Sequence, residues 1–479
     1  MRGLRFTVGA LSALALGLAT ACTTDSPTPL APRQTPVIGP AQYATQSGVV
    51  QGVTPSDQFV VEYTGKDATL EADVAAVGGT VVRLHPAIGI AIVSGITDAQ
   101  AALLAVSPGV RSATRDVIVQ WIPSIEAAQA PAIAPADAAP ATVPDPTSTF
   151  FYAAFQWDMR AIHAQDAWPT GFQGQGVKVA IIDTGIDDTH AELTGKVDVA
   201  NSVAFVNNVN PAPFPTWGDD NFHGTHVAST VAGNLFAMAS VAPQATLMAI
   251  KVLNSNGSGS FANVIAGILF AADHGANVIN MSLGAYFPKS SPGGGRLNGA
   301  LAKAVNYATS KGVLVVCAAG NNGADLDHNA DLVFVPAQSG TAFAVGATGP
   351  TGQTNFDDLA IYSNFGVSGP AVVAPGGGVG RPGNVLADLV IAACSHQTVN
   401  PGLAVCRSSS SQFYVFAAGT SMASPHAAGV AALILSEFGP MSPGALRTRL
   451  EQSADDLGKP GVDPIYSHGR INAGRAVAN

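Results

Sequence analysis

Four polar residues stand where an apolar run gives way to a turn or to a helical pattern. Asp183 closes the run in "VAIIDTGID", His223 opens "HGTHVAST", Asn321 follows "VVCAAG", and Ser421 lies within "AAGTSMASPHAAG". They supply an acid, a base, an amide donor and an alcohol, each from a different segment. A serine hydroxyl is a weak nucleophile unless a neutral imidazole takes its proton during attack. The imidazole in turn needs a buried carboxylate that fixes its tautomer and stabilises the imidazolium. The oxyanion that follows needs donors already in place, here the backbone N–H of Ser421 and the carboxamide of Asn321. Small neighbours (Gly419, Ala423, Pro425, Ala427 and Ala428) leave the hydroxyl reachable, and a helix start offers unpaired N–H groups. The chemistry implied is acyl transfer through a serine. No one of these residues carries it alone, because a lone Asp after a strand is usually a turn residue and a lone His is usually structural.

The elements that must position them read as a parallel sheet. "GVKVAIID", "TLMAIKVL", "ANVINMSLG", "GVLVVCAAG" and "TAFAVGA" look like strands buried on both faces, and helical patterns such as "SFANVIAGILFAADHG" and "NGALAKAVNYATSKG" lie between them. Such alternation implies an α/β domain over 151–479 with helices on both faces of a parallel sheet. Its ligands belong beyond the carboxyl ends of the strands, where Asp183 and Asn321 fall. Upstream, 57–122 reads strand, helix, strand, strand, helix, strand, an α+β ferredoxin-like order, with Thr97 or Asp98 capping the second helix. Residues 23–56 are a Pro/Thr/Ser-rich spacer. Residues 123–150 are an Ala/Pro-rich linker, expected to be exposed and open to cleavage.

The segments "DTGID", "HGTHVA" and "GTSMASPHAAG", in the order Asp, His, Ser, resemble those of the subtilisin-like serine proteases; "YSNFG", "VVAPGGG" and "SHGRINAGRAV" match as well. The resemblance spans 151–479, so no further C-terminal domain is expected, and 57–122 is similar to that family's inhibitory propeptide. It implies a serine endopeptidase that acts on peptides and proteins and is made as a self-processing zymogen, with its own propeptide as intramolecular inhibitor. Substrate would lie as an added strand between Gly257, Ser258 and Gly259 on one side and Ser282, Leu283 and Gly284 on the other. Ala319 and Gly320 would close the pocket for the side chain before the cut. Activity is expected to climb with pH where a free imidazole deprotonates, about pH 6.5. One rival is a non-catalytic binding or inhibitory module on the same fold, against which the four intact residues speak. Another is an α/β-hydrolase esterase, which needs a G-x-S-x-G elbow, whereas Ala423 stands where its second glycine belongs.

The remaining features bound this reading. "MRGLRFTVGALSALALGLATAC" is an export signal at 1–22. "LATAC" resembles a lipoprotein cleavage site with Cys22 as the lipid-bearing residue, although Ala19 stands where leucine is usual. Lipidation would tether only the precursor to the envelope, because the cut that releases the catalytic domain lies downstream; the mature enzyme is expected in the medium, as a monomer. A net charge of −10 excludes a nucleic-acid footprint, and 52 glycines with 32 prolines suit a loop-rich exported chain. Cys394 and Cys406 can close a short disulfide loop, and Cys317 reads as a buried core thiol. His226 and His426 read as packed structural histidines. No metal ligands are assigned: the spacing of Asp325, Asp327 and Asp331 is not that of a calcium loop, so structural calcium is an expectation without a ligand set. Catalysis needs no cofactor.

Overall fold

The computed structural model describes residues 53–122, 128–129, 145–209, 214–288, 293–329, 331–407 and 411–478. The export signal, Cys22 and most of the spacer and linker lie outside the described residues.

The N-terminal unit follows the expected order. Strands Val53–Tyr63, Thr80–His85, Ile90–Ser94 and Val110–Gln120 alternate with helices Asp67–Ala76 and Asp98–Leu104. The antiparallel sheet runs Thr80–His85, Ile90–Ser94, Val53–Tyr63, Val110–Gln120, which is the ferredoxin-like arrangement. Thr97, rather than Asp98, caps the second helix, in a reciprocal pair with Gln100. The first strand begins at Val53, ahead of the boundary expected at 57. A register shift between Pro55 and Phe59 lets Val53–Pro55 pair with Val117–Val119, so the proline sits at a bulge where its missing N–H is tolerated.

Both faces of this small sheet are covered. Phe59, Val61, Ala91 and Val93 pack under the unit's own helices. Val60, Ile90, Ile92 and Val119 join the core of the larger domain. The period of two along these strands thus serves two partners at once.

The larger domain is built on seven parallel strands in the order Val372–Pro375, Phe343–Thr348, Leu314–Ala318, Val278–Met281, Lys178–Asp183, Thr246–Lys251, Val203–Ala204. Alternate residues separate its two cores. Val179 and Ile181 face one side, with helices His223–Val231 and Thr420–Phe438. Ala180 and Ile182 face the other, with helices Phe261–Asp273 and Gly294–Ser310. From Lys178–Asp183 the chain first builds the sheet outward on one side and then crosses to Val278–Met281 on the other. That strand therefore ends at the topological switch point, where a crevice opens.

A short turn lies within the expected linker, where Asp145 caps Pro146–Ser148. Ala128 and Gln129 also pair antiparallel with Phe416 and Val415. Pairing of this kind uses main chain only, so an alanine-rich composition carries no sign of it. No helix among the described residues is long and apolar enough to cross a membrane.

Candidate active site

Asp183 is the last residue of its strand and His223 the first of its helix. The carboxylate Oδ1 lies 2.8 Å from His223 Nδ1, and both side chains are fully buried. The same oxygen accepts the Thr184 N–H at 2.7 Å. His223 Nε2 is buried without a partner. Ser421 is the second residue of helix Thr420–Phe438, which packs directly on the histidine helix. Its Oγ donates to Ser282 O at 3.2 Å, and the residue is only 3% exposed. An imidazole nitrogen without a partner is free to accept a proton from a hydroxyl brought to it.

Asn321 follows the strand Leu314–Ala318. Its Oδ1 accepts both the N–H and the hydroxyl of Thr420, each at 2.8 Å, which fixes the carboxamide and turns Nδ2 away from Thr420. A Cβ built on Gly419 would lie 3.2 Å from Asn321 Nδ2 and 3.6 Å from Ser421 N. The bare face of Gly419 thus borders one small space that both donors line. Two donors converging beside a serine hydroxyl can hold a developing oxyanion.

The two segments expected to flank substrate also come together, with residues 118–122 between them. Ile118, Val119 and Gln120 pair antiparallel with Ser260, Gly259 and Ser258. Gly257 O accepts the N–H groups of Trp121 and Ile122 at 3.1 and 3.2 Å. Across the strand, Gly284 N donates to Trp121 O at 3.1 Å. The Trp121 indole donates to Gly259 O at 2.8 Å and meets Phe261 edge to face. Residues 118–122 therefore lie as an added strand between the two predicted edges. Leu283, Ala319 and Gly320 are buried, and Gly320 N donates to Thr420 Oγ1 at 3.0 Å. The Ser282 hydroxyl is bonded to Ser421 O at 2.8 Å and to Ser424 Oγ at 2.7 Å, tying the strand end to the serine helix.

Several residues that hold this geometry are not evident from motifs. Buried Asp219 accepts Thr184 Oγ1 through Oδ1, at 2.8 Å, and the N–H and hydroxyl of Thr225 through Oδ2, so one carboxylate ties the Asp183 turn to the His223 helix. Burial pushes this carboxyl up, and the donors and the charge of Lys251 oppose that. Buried Lys251 bridges Asp220 Oδ1, at 2.6 Å, and Thr184 O, at 2.5 Å. Cys394 and Cys406 are joined in a disulfide, and the loop they close lies over the histidine loop. Ser395 Oγ donates to Asp219 O at 2.6 Å, Val399 N to Asp220 O at 2.9 Å, and Thr398 Oγ1 to Asn221 O. Phe222, next to His223, packs against the two cysteines. From the same loop His396 pairs with Asp187 at 3.0 Å. Burial opposes both charges of that pair, yet mutual attraction wins, so the carboxyl is held below its usual range and the imidazole above its own.

His226 and His426 are packed in the interior. His226 bonds Val390 O at 3.2 Å, and burial, with the nearby His223, lowers its pKa to about 3. His426 lies 3.0 Å from Asp158 Oδ2, a buried pair that docks the serine helix on Trp157–Ala161. Cys317 is buried, which pushes its thiol up. Asp325 faces His328 at 2.6 Å, and the oxygens of Asp327 accept the N–H groups of Val367 and Ser368. Among the described residues no group of three or more His, Cys, Asp or Glu is arranged to hold a metal ion.

Comparisons with known proteins point to one family. The sequence model described as "Subtilase family" matches residues 174–469. The chain is 35% identical over 331 residues to the thermophilic serine proteinase of Bacillus sp. (strain AK1), covering 68% of each chain. It is 36% identical over 323 residues to subtilisin Savinase of Lederbergia lenta, covering 67% of this chain and 98% of that one. The crystal structure of a lanthipeptide protease superposes with a TM-score of 0.57 at 30% identity, over 70% of this chain and 95% of the other. Fervidolysin from Fervidobacterium pennivorans, a keratinolytic enzyme related to subtilisin, gives a TM-score of 0.65 over 90% of this chain and 62% of its own; at 24% identity that likeness concerns the fold.

Proposed function

This chain belongs to the subtilase family and is a serine endopeptidase, and on that premise we propose that it hydrolyses peptide bonds through Asp183, His223 and Ser421 and is made as an exported precursor that its N-terminal unit holds shut. The observation that carries the reading is the buried Asp183–His223 pair, its histidine on a helix packed against the one that carries Ser421, with residues 118–122 paired between the segments 257–260 and Gly284.

In the reaction, Ser421 Oγ attacks the scissile carbonyl while its proton passes to His223 Nε2. Asp183 holds the ring by Nδ1–H and stabilises the imidazolium. The new oxyanion is held by Ser421 N–H and Asn321 Nδ2–H. Collapse breaks the C–N bond, and the imidazolium gives its proton to the leaving amine. Water then repeats the sequence on the ester and frees the serine. Replacing Asn321 by leucine is expected to lower kcat by about 10²–10³-fold with KM nearly unchanged, a magnitude carried over from subtilisin. Gly419→Ala should lower kcat in the same way, because the added methyl occupies the oxyanion's place. Steady-state kinetics on processed enzyme checks both.

Zymogen processing predicts a chain-order result. Wild-type protein is expected to mature to an N-terminus beyond Ile122, whereas Ser421→Ala, once freed of its export signal, keeps residues 57–122 joined to the catalytic domain by mass spectrometry. An active enzyme that still carries residues from before Gln58 would contradict the precursor reading.

A further inference from the structure

Beside Ser421, a slot opens between the segments 282–284 and 319–320. Each segment is bonded to the start of the serine helix, Ser282 O by Ser421 Oγ and Gly320 N to Thr420 Oγ1. A peptide leaving the position of Trp121, which pairs with Gly284, reaches Ser421 as it passes Ser282. Once its carbonyl lies between Ser421 Oγ and the donor Asn321 Nδ2, the side chain before the cut is directed between these two segments.

The back of that slot is not empty. Phe334 lies on a strand, Leu332–Val335, paired antiparallel with Ala285–Pro288, which continues directly from Gly284. Its ring is 3% exposed and meets Tyr286 edge to face at 5.0 Å. A Cβ on Gly284 would lie 2.5 Å from Phe334 Cζ, and a Cβ on Gly320 would lie 2.5 Å from the same atom. One ring therefore rests against the bare Cα faces of both walls. Gln338 anchors the strand, its side chain accepting Phe334 N–H at 2.9 Å and its own N–H donating to Phe334 O at 2.8 Å.

We propose that Phe334 blocks this slot and thereby restricts cleavage to peptide bonds that follow a small side chain, that of alanine, glycine or serine. The inference rests on the reading of Ser421 as nucleophile and adds to it the substrate class. A ring held by a strand pair and by Tyr286 cannot withdraw without disturbing its anchors, so a large residue meets backbone and ring instead of space. The sequence to be cut during maturation fits: 123–144 contains no phenylalanine, tyrosine, tryptophan, leucine or methionine and is dominated by alanine and proline.

The test is a peptide library varied at the residue before the cut, digested by processed wild type, Phe334→Gly and Phe334→Leu. Active sites are counted separately by titration with a fluorophosphonate. The wild type is expected to favour alanine, glycine or serine over phenylalanine and leucine by about tenfold or more in kcat/KM. Phe334→Gly should raise kcat/KM for phenylalanine and leucine by at least about tenfold while keeping alanine within a few-fold. Phe334→Leu, which keeps an apolar contact on Tyr286, should fall between. A wild type that prefers large residues would overturn the proposal, and so would variants that titrate fully yet show the parental profile. Absence of titratable serine in the wild type would instead strike the nucleophile assignment and leave the slot argument distinguishable.

Discussion

Ser421→Ala is expected to lower kcat by about 10⁶-fold, a magnitude carried over from subtilisin, with substrate affinity little changed. The separation of the two effects follows from where the contacts lie. The peptide strand is held by main chain at Gly257, Gly259 and Gly284, none of which is bonded to the serine hydroxyl. The hydroxyl itself makes a single bond, to Ser282 O, so its loss leaves no network of unpaired groups behind. The variant should fold but remain uncut, because maturation draws on the same nucleophile, so its affinity and kcat are read after a second protease has removed residues 118–122 and the rest of the N-terminal unit from the cleft. A variant that retained more than about 1% of wild-type kcat would mean that another residue attacks the carbonyl.

Asp183→Ala is expected to cost about 10⁴-fold in kcat, again a subtilisin-scale effect, with KM within a few-fold. Oδ1 of Asp183 accepts from His223 Nδ1 and from the Thr184 N–H, so the substitution frees the imidazole tautomer and also orphans a buried amide. Asp219 would still tie the two segments together through Thr184 and Thr225. The fold is therefore kept while the imidazole loses its orientation and its counter-charge. Residues acting as a unit are not additive, so Ser421→Ala combined with Asp183→Ala should be no slower than Ser421→Ala alone. Stopped assays with enzyme quantified by absorbance test this, and a double variant slower by a further 10⁴-fold would show the two acting independently.

Much of the site is written in the sequence in compact form. Asp183, His223 and Ser421 each sit in a dense local string whose glycines and small residues are dictated by the turn or helix start that presents the side chain. The parallel sheet is legible because its strands are buried on both faces and read as unbroken apolar runs. What sequence does not disclose depends on contacts between remote segments. Phe334 belongs to "DLVFVP", an ordinary apolar run, and only the pairing of Leu332–Val335 with Ala285–Pro288 brings its ring against Gly284 and Gly320. The loop from Ser395 to Val399 has no periodicity to read, yet its main chain and hydroxyls hold the histidine loop in place. Val53–Pro55 looks like spacer because proline is a poor strand residue, and the bulge that admits it is a property of the partner strand as much as of its own.

The central claim is that Ser421 alone is activated for attack. It is tested most directly by inactivating the processed enzyme with a fluorophosphonate and locating the adduct by peptide mass spectrometry. The account predicts one phosphonyl group per molecule, on the peptide carrying Ser421 and on that residue. An adduct on a different side chain, or undiminished peptide cleavage after exhaustive treatment, would contradict it.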